Sequence, residues 1–290
     1  MPEIQRPSVG AGQPETNLPV DLSTLVFGTA RYGAAKVDGI IVPTPGPHDD
    51  QVRLIQEAVS LGYNFFDTAQ GYGDSEVVVG QALSGHLRDE VFIATKVGMQ
   101  PDSDIDTSIA KSVDRLGTEP DVLYIHNRWD GILDGSMDDC LEAVDNAIDA
   151  GLAGHIGISN FRLDELNYAL GSLRNPVLFY QAKVNLHAPR PDAAELFELC
   201  QAERIQFTAS STLDRGGVFE VDNPALAEMT KRYDLTLAQL AILGVSSLGI
   251  LPVVQTHNLE HMAENMRSLN TELDKQDEQY LADILLSRTS

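Results

Sequence analysis

The chain has 290 residues, of which 43% are apolar and 22% are charged, a balance typical of a globular protein with a full core. Its 43 acidic and 20 basic residues give a net charge of −23, which argues against nucleic acid or an anionic membrane as a partner. No run of about 18 apolar residues occurs, so the sequence predicts no membrane span.

The first 18 residues are rich in Pro, Gly, Glu and Gln and lack the basic-then-apolar pattern of a signal peptide. We expect residues 1–20 to form a loose extension and residues 21–290 to form one domain, since α/β barrels of roughly 250 residues commonly fold as one. Cys140 and Cys200 are the only cysteines, and they lie in amphipathic helical stretches without metal-like spacing. They are interpreted as buried thiols of a cytoplasmic protein.

From residue 25 onward, short apolar stretches alternate with stretches of helical periodicity. This alternation predicts an α/β fold, a single (β/α)8 TIM barrel with an extra helix after strand seven and a C-terminal helix. An open doubly wound sheet is the alternative, but Gly28-Thr29-Ala30 is not its usual G-x-G-x-x-G turn. The predicted strands are 25–30, the run that ends at Asp67, 91–96, 121–126, 155–159, 177–182, 205–209 and 249–253. The predicted helices are 49–61, the one that ends near 83, 103–116, 136–150, the one from 162, 192–203, 224–232, 236–248, 259–269 and 275–286.

Polar side chains stand at the ends of three neighbouring predicted strands. Asp67 ends the second strand and Tyr72 follows it in a turn, while Lys96 ends the third strand and His126 the fourth. Active sites of such barrels lie at the carboxyl ends of the strands, so these side chains are expected to converge. Each residue alone has an ordinary structural interpretation, but four of them on one face favour a catalytic site. His155 lies at the opposite end of its strand, and no metal site is predicted.

The stretch from 62 to 76 reads GYNFFDTAQGYGDSE, an apolar run, a carboxylate and a glycine-rich turn followed by helix-capping acceptors. It resembles the signature of the aldo-keto reductase family, G-x-N-x-F/I-D-T-A-x-x-Y-G-x-S-E, and matches every fixed position. The resemblance covers roughly residues 22 to 270. It implies an oxidoreductase that transfers a hydride between a nicotinamide cofactor and an aldehyde or ketone, or the corresponding alcohol or sugar.

The resemblance also implies roles for the four polar residues. Tyr72 would be the general acid, since hydride reduction of a carbonyl leaves negative charge on its oxygen. A neighbouring ammonium makes a phenol a stronger acid, which suits Lys96, and Asp67 would hold that ammonium in place. His126 would orient and polarise the carbonyl.

Cofactor contacts are likewise implied by resemblance. Ser159-Asn160-Phe161 after the fifth strand and Gln181 at the end of the sixth resemble the residues with which the family holds the nicotinamide carboxamide. The alternative for Ser159 and Asn160 is a helix N-cap. The full set of implied cofactor residues is Gly28, Thr29, Ser159, Asn160, Gln181, Ser210, Leu213 and Asn265.

Two departures from the family pattern concern the cofactor. Ser210 replaces a tyrosine that stacks on the nicotinamide in many members, and no lysine or arginine lies between Pro252 and Asn265. Recognition of the NADP 2′-phosphate usually needs a cation. The cofactor is therefore NADP or NAD, with a weak preference for NADPH or weak binding of both, unless Arg215 or Arg267 supplies the missing charge.

Two other functions remain open at this point: a barrel that binds or regulates without turnover, and one that uses the pocket for isomerase- or dehydratase-type proton transfer. The expected partner is a small carbonyl or alcohol substrate. Its identity would be set by the predicted loops 31–48, 127–135 and 213–223, with Arg128 and Trp129 lining the mouth of the pocket.

Overall fold

The computed structural model describes residues 22–37, 40–44, 46–98, 105–126 and 136–287. Its strands are β1 (Val26–Gly28), β2 (Ala34–Val37), β3 (Ile40–Pro43), β4 (Phe65–Asp67), β5 (Phe92–Gly98), β6 (Val122–His126), β7 (His155–Ser159), β8 (Val177–Lys183), β9 (Gln206–Ser210) and β10 (Leu251–Val254). Eight of them form a closed parallel barrel in the order β1-β10-β9-β8-β7-β6-β5-β4, and β1 closes it by pairing with β4 and β10.

Ten α-helices surround the barrel within the described ranges. They are α1 (Asp49–Ser60), α2 (Ser75–Ala82), α3 (Ile105–Leu116), α4 (Ser136–Asp149), α5 (Leu163–Ser172), α6 (Ala193–Ala202), α7 (Pro224–Tyr233), α8 (Leu237–Ser247), α9 (Leu259–Ser268) and α10 (Lys275–Leu285). Helix α7 is the extra helix after the seventh barrel strand, and α10 is the terminal one. The predicted (β/α)8 barrel with these two additions is therefore confirmed.

One segment differs from the sequence-based interpretation. Residues 31–48 were expected to be a loop, but β2 and β3 form an antiparallel hairpin in which Ala34 faces Pro43 and Val37 faces Ile40. Four-residue strands are too short to show a clear alternating pattern, which explains why the sequence did not reveal them. The hairpin is closed at its base by a hydrogen bond of 3.1 Å from Thr44 N to Gly33 O.

Several expectations concern residues outside the described ranges. These are the loose extension over 1–20, the loop 127–135 with Arg128 and Trp129, and the first two residues of the helix predicted from 103. The division into an extension and one barrel domain stays a prediction.

The barrel interior below the site is packed with apolar side chains. The ring of Phe65 lies 5.5 Å from that of Phe92 and 5.6 Å from that of Phe179, both edge-on. Tyr124 lies above them and fills the space beside Gly157, where an added Cβ would come within 2.4 Å of its ring. This layer is buried and closely packed, so it supports the polar side chains of the next layer, toward the carboxyl ends of the strands.

Both cysteines are buried free thiols, as the sequence predicted. None of the helices in the described part of the chain is long and apolar enough to cross a membrane. The described residues also contain no group of three side chains suited to hold a metal ion.

Candidate active site

The four residues expected to form the site meet at the carboxyl ends of three adjacent barrel strands. Asp67 is the last residue of β4, Lys96 lies in β5 and His126 ends β6. Tyr72 lies in the turn between β4 and α2, and its ring is 6.0 Å from that of His126 in an edge-on arrangement. The parallel pairing of β4, β5 and β6 explains the convergence, since it brings the ends of all three strands to one rim.

A buried ion pair lies at the centre of this group. The Lys96 ammonium is 2.6 Å from Asp67 Oδ2 and donates to the Thr68 carbonyl at 2.9 Å. Lys96 has no exposed surface and Asp67 is 4% exposed. Burial alone lowers the pKa of Lys96, but the charge of Asp67 and the phenol of Tyr72 outweigh it, so this pKa lies above its usual value. Lys96 is therefore a persistent cation.

Tyr72 lies directly against this cation. The Lys96 ammonium is 5.1 Å from the centre of the Tyr72 ring. The turn that carries the tyrosine is tight, with a hydrogen bond of 3.0 Å from Tyr72 N to Ala69 O. Gly73 follows at φ +62°, and a Cβ there would meet the side chain of Ala34 at 2.9 Å. Only glycine fits this position, because the hairpin packs closely over the turn.

Gln181 joins the ion pair from the other side of the barrel. Its side-chain amide donates to Asp67 Oδ1 at 2.9 Å, so both carboxylate oxygens of Asp67 are occupied. Asn160 lies next to it, since Asn160 N donates to Gln181 O at 2.8 Å and its side chain donates to Ser159 Oγ at 3.1 Å. The three residues implied to hold the carboxamide are thus neighbours.

A cavity of about 520 Å³ opens beside the ion pair. Seven of the residues singled out from the sequence line it: Gly28, Thr29, Asp67, Tyr72, Gln181, Ser210 and Leu213. The hydroxyl of Thr29 donates to Asp67 O at 2.9 Å, which gives it a structural bond as well. Asn265 does not line the cavity; it is buried in α9 with 7% exposure. Its implied contact with the cofactor stays a prediction.

Three cations line the same cavity, and the sequence had indicated only one of them. They are Arg31 after β1, Lys36 on the hairpin and Arg215 after β9. Their side chains are exposed and make no ion pair or hydrogen bond within the described ranges. Unpaired cations around one cavity are notable in a chain of net charge −23. Arg215 had been considered, but Arg31 and Lys36 depend on a hairpin that the sequence did not reveal.

The wall of the cavity after β9 has an unusual backbone. Ser211, Asp214 and Arg215 have φ values of 54°, 43° and 56°, which non-glycine residues rarely adopt. Asp214 is held by Lys183 Nζ at 3.1 Å and His187 Nδ1 at 2.6 Å. Although partial burial favours its neutral form, the hydrogen bonds from His187 and Lys183 lower the pKa of Asp214. These bonds fix the wall that presents Arg215.

Comparisons with known proteins identify relatives of this chain. The Aldo/keto reductase family matches residues 24–285. Protein REDOX 2 of Catharanthus roseus is 27% identical, with 82% of each chain covered. Methylglyoxal reductase DkgB of Salmonella typhi is also 27% identical, over 81% of this chain and 87% of that protein. A crystal structure of an aldo/keto reductase from Klebsiella pneumoniae in complex with NADP and acetate has the same fold, with a TM-score of 0.77, 22% identity and coverage of 95% and 96%. The family match spans most of the sequence, and the protein therefore belongs to the aldo/keto reductase family.

Proposed function

We propose that this oxidoreductase uses a nicotinamide nucleotide to reduce an aldehyde or ketone, or to oxidise the corresponding alcohol or sugar. The observation that carries the proposal is the buried Asp67–Lys96 pair placed 5.1 Å below the ring of Tyr72, at the edge of a cavity lined with unpaired cations. A phenol, a persistent ammonium and an imidazole at one strand-end rim can together protonate and polarise a carbonyl oxygen.

In this proposal the bound nicotinamide supplies the hydride. Tyr72 donates the proton to the carbonyl oxygen, and the Lys96 cation stabilises the negative charge that then remains on the phenol. Asp67 holds Lys96 in place and takes no part in proton transfer, since Lys96 and Gln181 occupy its two oxygens. The ring of His126 lies against Tyr72 and orients the carbonyl toward it.

The residues of the cavity fit the cofactor. Gln181 uses its amide nitrogen on Asp67, which leaves its carbonyl oxygen as an acceptor for the amide group of a nicotinamide. Arg31, Lys36 and Arg215 would bind the phosphate groups, because they are cationic, exposed and unpaired within the described part of the chain. A nucleotide bound in the cavity would thus meet both an amide acceptor and cations.

The test is to titrate the purified protein with NADPH and NADH and to follow oxidation of the reduced nicotinamide in the presence of small aldehydes and ketones. Methylglyoxal belongs in this panel, since a curated relative is named for its reduction. The proposal expects turnover that is lost in Tyr72→Phe. Nucleotide binding without turnover of any carbonyl or alcohol would instead support a regulatory barrel, and turnover of a substrate without nucleotide would support proton-transfer chemistry.

A further inference from the structure

Arg115, in the last turn of α3, makes three contacts with the segment that carries Tyr72. Its Nη2 atom donates to the carbonyl oxygen of Gly73 and lies 3.1 Å from Asp74 Oδ1. Its Nε atom donates to Glu76 Oε2 at 3.1 Å. One guanidinium group therefore binds the residue after Tyr72 and the first turn of the helix that follows.

Glu76 continues this network toward the lysine. It has no exposed surface, and its Oε1 atom accepts a hydrogen bond of 2.7 Å from the hydroxyl of Thr95. Thr95 directly precedes Lys96 in β5. The contacts thus run from Gly73, next to Tyr72, through Arg115 and Glu76 to Thr95, next to Lys96.

We infer that Arg115 is a positioning residue that acts through Glu76 to set the spacing between Tyr72 and Lys96. The inference rests on the proposed function, in which this spacing determines how the cation supports proton transfer. The contacts of Arg115 with Gly73, Asp74 and Glu76 form a clamp on the segment that carries Tyr72. A displacement of about 1 Å in a catalytic group can lower a rate about a hundredfold, so loss of this clamp should have a measurable effect.

The surrounding packing supports the assignment, because it leaves the clamp little freedom. Helices α2 and α3 touch where Gly80 meets Leu116, and a Cβ on Gly80 would lie only 2.1 Å from the Leu116 carbonyl oxygen. On the other side of the turn, Asp74 N donates to Gly33 O at 3.0 Å. The segment is therefore held between the hairpin and α3, with Arg115 as its cationic contact.

Glu76 also depends on Arg115 electrostatically. Burial raises the pKa of Glu76, while the hydroxyl of Thr95 and the charge of Arg115 act in the opposite direction. Removal of the guanidinium would leave a buried carboxylate without a cation, which destabilises a protein whether or not it has an active site. The experiment must therefore separate positioning from the loss of this pair.

Arg88 provides a matched control at the other end of the barrel. It pairs with Asp121 at 2.9 Å and donates to the carbonyl oxygens of Val91 and Glu119. The two arginine side chains are almost equally exposed, 21% for Arg115 and 23% for Arg88. Arg88 binds the amino-terminal approach to β5 and β6, remote from the rim that carries Tyr72.

The test compares Arg115→Met with Arg88→Met by steady-state kinetics, nucleotide titration and hydrogen exchange. For Arg115→Met we expect kcat to fall by about ten- to a hundredfold, with nucleotide affinity and KM much less affected. Hydrogen exchange in the peptide with residues 70–76 should become faster. For Arg88→Met, kcat should stay close to that of the wild type, and exchange should become faster around residues 118–121 instead.

The double variant Arg115→Met/Glu76→Gln separates the two roles, because Gln restores an uncharged partner for Thr95. We expect it to recover stability but not kcat; recovery of kcat would show that Arg115 only compensates the charge of Glu76 and would overturn the inference. Arg115→Lys, which keeps the charge without the bidentate geometry, serves if the Met variant does not fold, and a wild-type kcat for it would also overturn the inference. Hydrogen exchange needs no turnover, so unaltered exchange at 70–76 contradicts the clamp even if the proposed reaction is wrong.

Discussion

The side-chain amide of Gln181 donates a hydrogen bond to one carboxylate oxygen of Asp67, and the other oxygen of Asp67 binds the Lys96 ammonium. The residue implied to contact the cofactor is thus bonded directly to the ion pair behind the proposed acid. Gln181 is 3% exposed and Asp67 4%, so this bond lies in a largely dry environment where electrostatic interactions are strong. A ligand that forms a hydrogen bond with Gln181 would therefore also affect the Asp67–Lys96 ion pair.

We expect Gln181→Glu to lose stability as pH rises. A protonated Glu can donate to Asp67 as the amide does, but an ionised one would place two buried carboxylates together, which raises the pKa of the new group. Its contribution is present below the unfolded value of about 4.3 and is lost as pH rises through the folded value. Each unit by which the folded pKa of the new Glu exceeds its unfolded pKa lowers the unfolding free energy at neutral pH by about 1.4 kcal/mol.

Urea unfolding of this variant and the wild type at about pH 5 and about pH 8 measures the effect, because the difference in unfolding free energy between the two proteins should grow with pH. Gln181→Met is the control, since it removes the donor without adding a charge. A pH-independent difference for Gln181→Glu would contradict the bond to Asp67.

Tyr72→Phe should lower the rate of carbonyl reduction by at least about a hundredfold, which is the lower end of the effect of losing a general acid. The substitution removes one oxygen and keeps the ring that packs beside His126, so nucleotide affinity should change little. Rates with the best carbonyl substrate, together with a nucleotide titration, provide the measurement. Near-normal turnover would exclude Tyr72 as the acid.

Lys96→Met should destabilise the fold by about 3–5 kcal/mol, because it leaves the buried Asp67 without its cation. It should also move the pH–rate profile of the residual activity toward higher pH, since an ammonium beside a phenol favours the phenolate. The double variant Lys96→Met/Asp67→Asn should recover much of the stability, but its pH–rate profile should stay shifted toward higher pH. An unmoved profile would show that Lys96 does not act on Tyr72.

The raised pKa of Lys96 in the wild type has its own consequence at alkaline pH. A cation whose folded pKa exceeds the unfolded value of about 10.4 stabilises the fold fully below that value, and the stabilisation disappears as pH rises through the folded value. We therefore expect the unfolding free energy of the wild type to fall more steeply above about pH 10 than that of Lys96→Met/Asp67→Asn. Equal slopes would mean that the ion pair does not hold the proton on Lys96.

The sequence was sufficient to predict the barrel and the convergence of Asp67, Lys96 and His126, because their signals are local. Asp67 and His126 each end a short apolar strand, Lys96 lies two residues before the end of another, and parallel strands in a barrel bring such ends together. The bond from Gln181 to Asp67 could not be predicted, since it joins opposite walls and depends on side-chain directions. Lys36 on the hairpin and Arg31 just before it were missed for a related reason, since β2 and β3 are too short to form a pattern.

The cations of the cavity bear on the choice between NADPH and NADH. Arg31 lies near His257, since burial and the charge of Arg31 both lower the pKa of that histidine. Both residues line the cavity together with Gln255 and Thr256. The family pattern leads one to expect a phosphate-binding cation at these last two positions. We expect Arg31→Ala to weaken NADPH binding by about ten- to a hundredfold and NADH binding less, because one charge-assisted contact is worth roughly 1.5–3 kcal/mol. Arg267→Ala, which removes an exposed cation of α9 that does not line the cavity, is the control. In the wild type, calorimetry should show a preference for NADPH below about a hundredfold, or 2.7 kcal/mol, because the cations are exposed and none is supplied between Pro252 and Asn265. A larger preference, or equal effects of Arg31→Ala and Arg267→Ala, would show that the 2′-phosphate is recognised elsewhere.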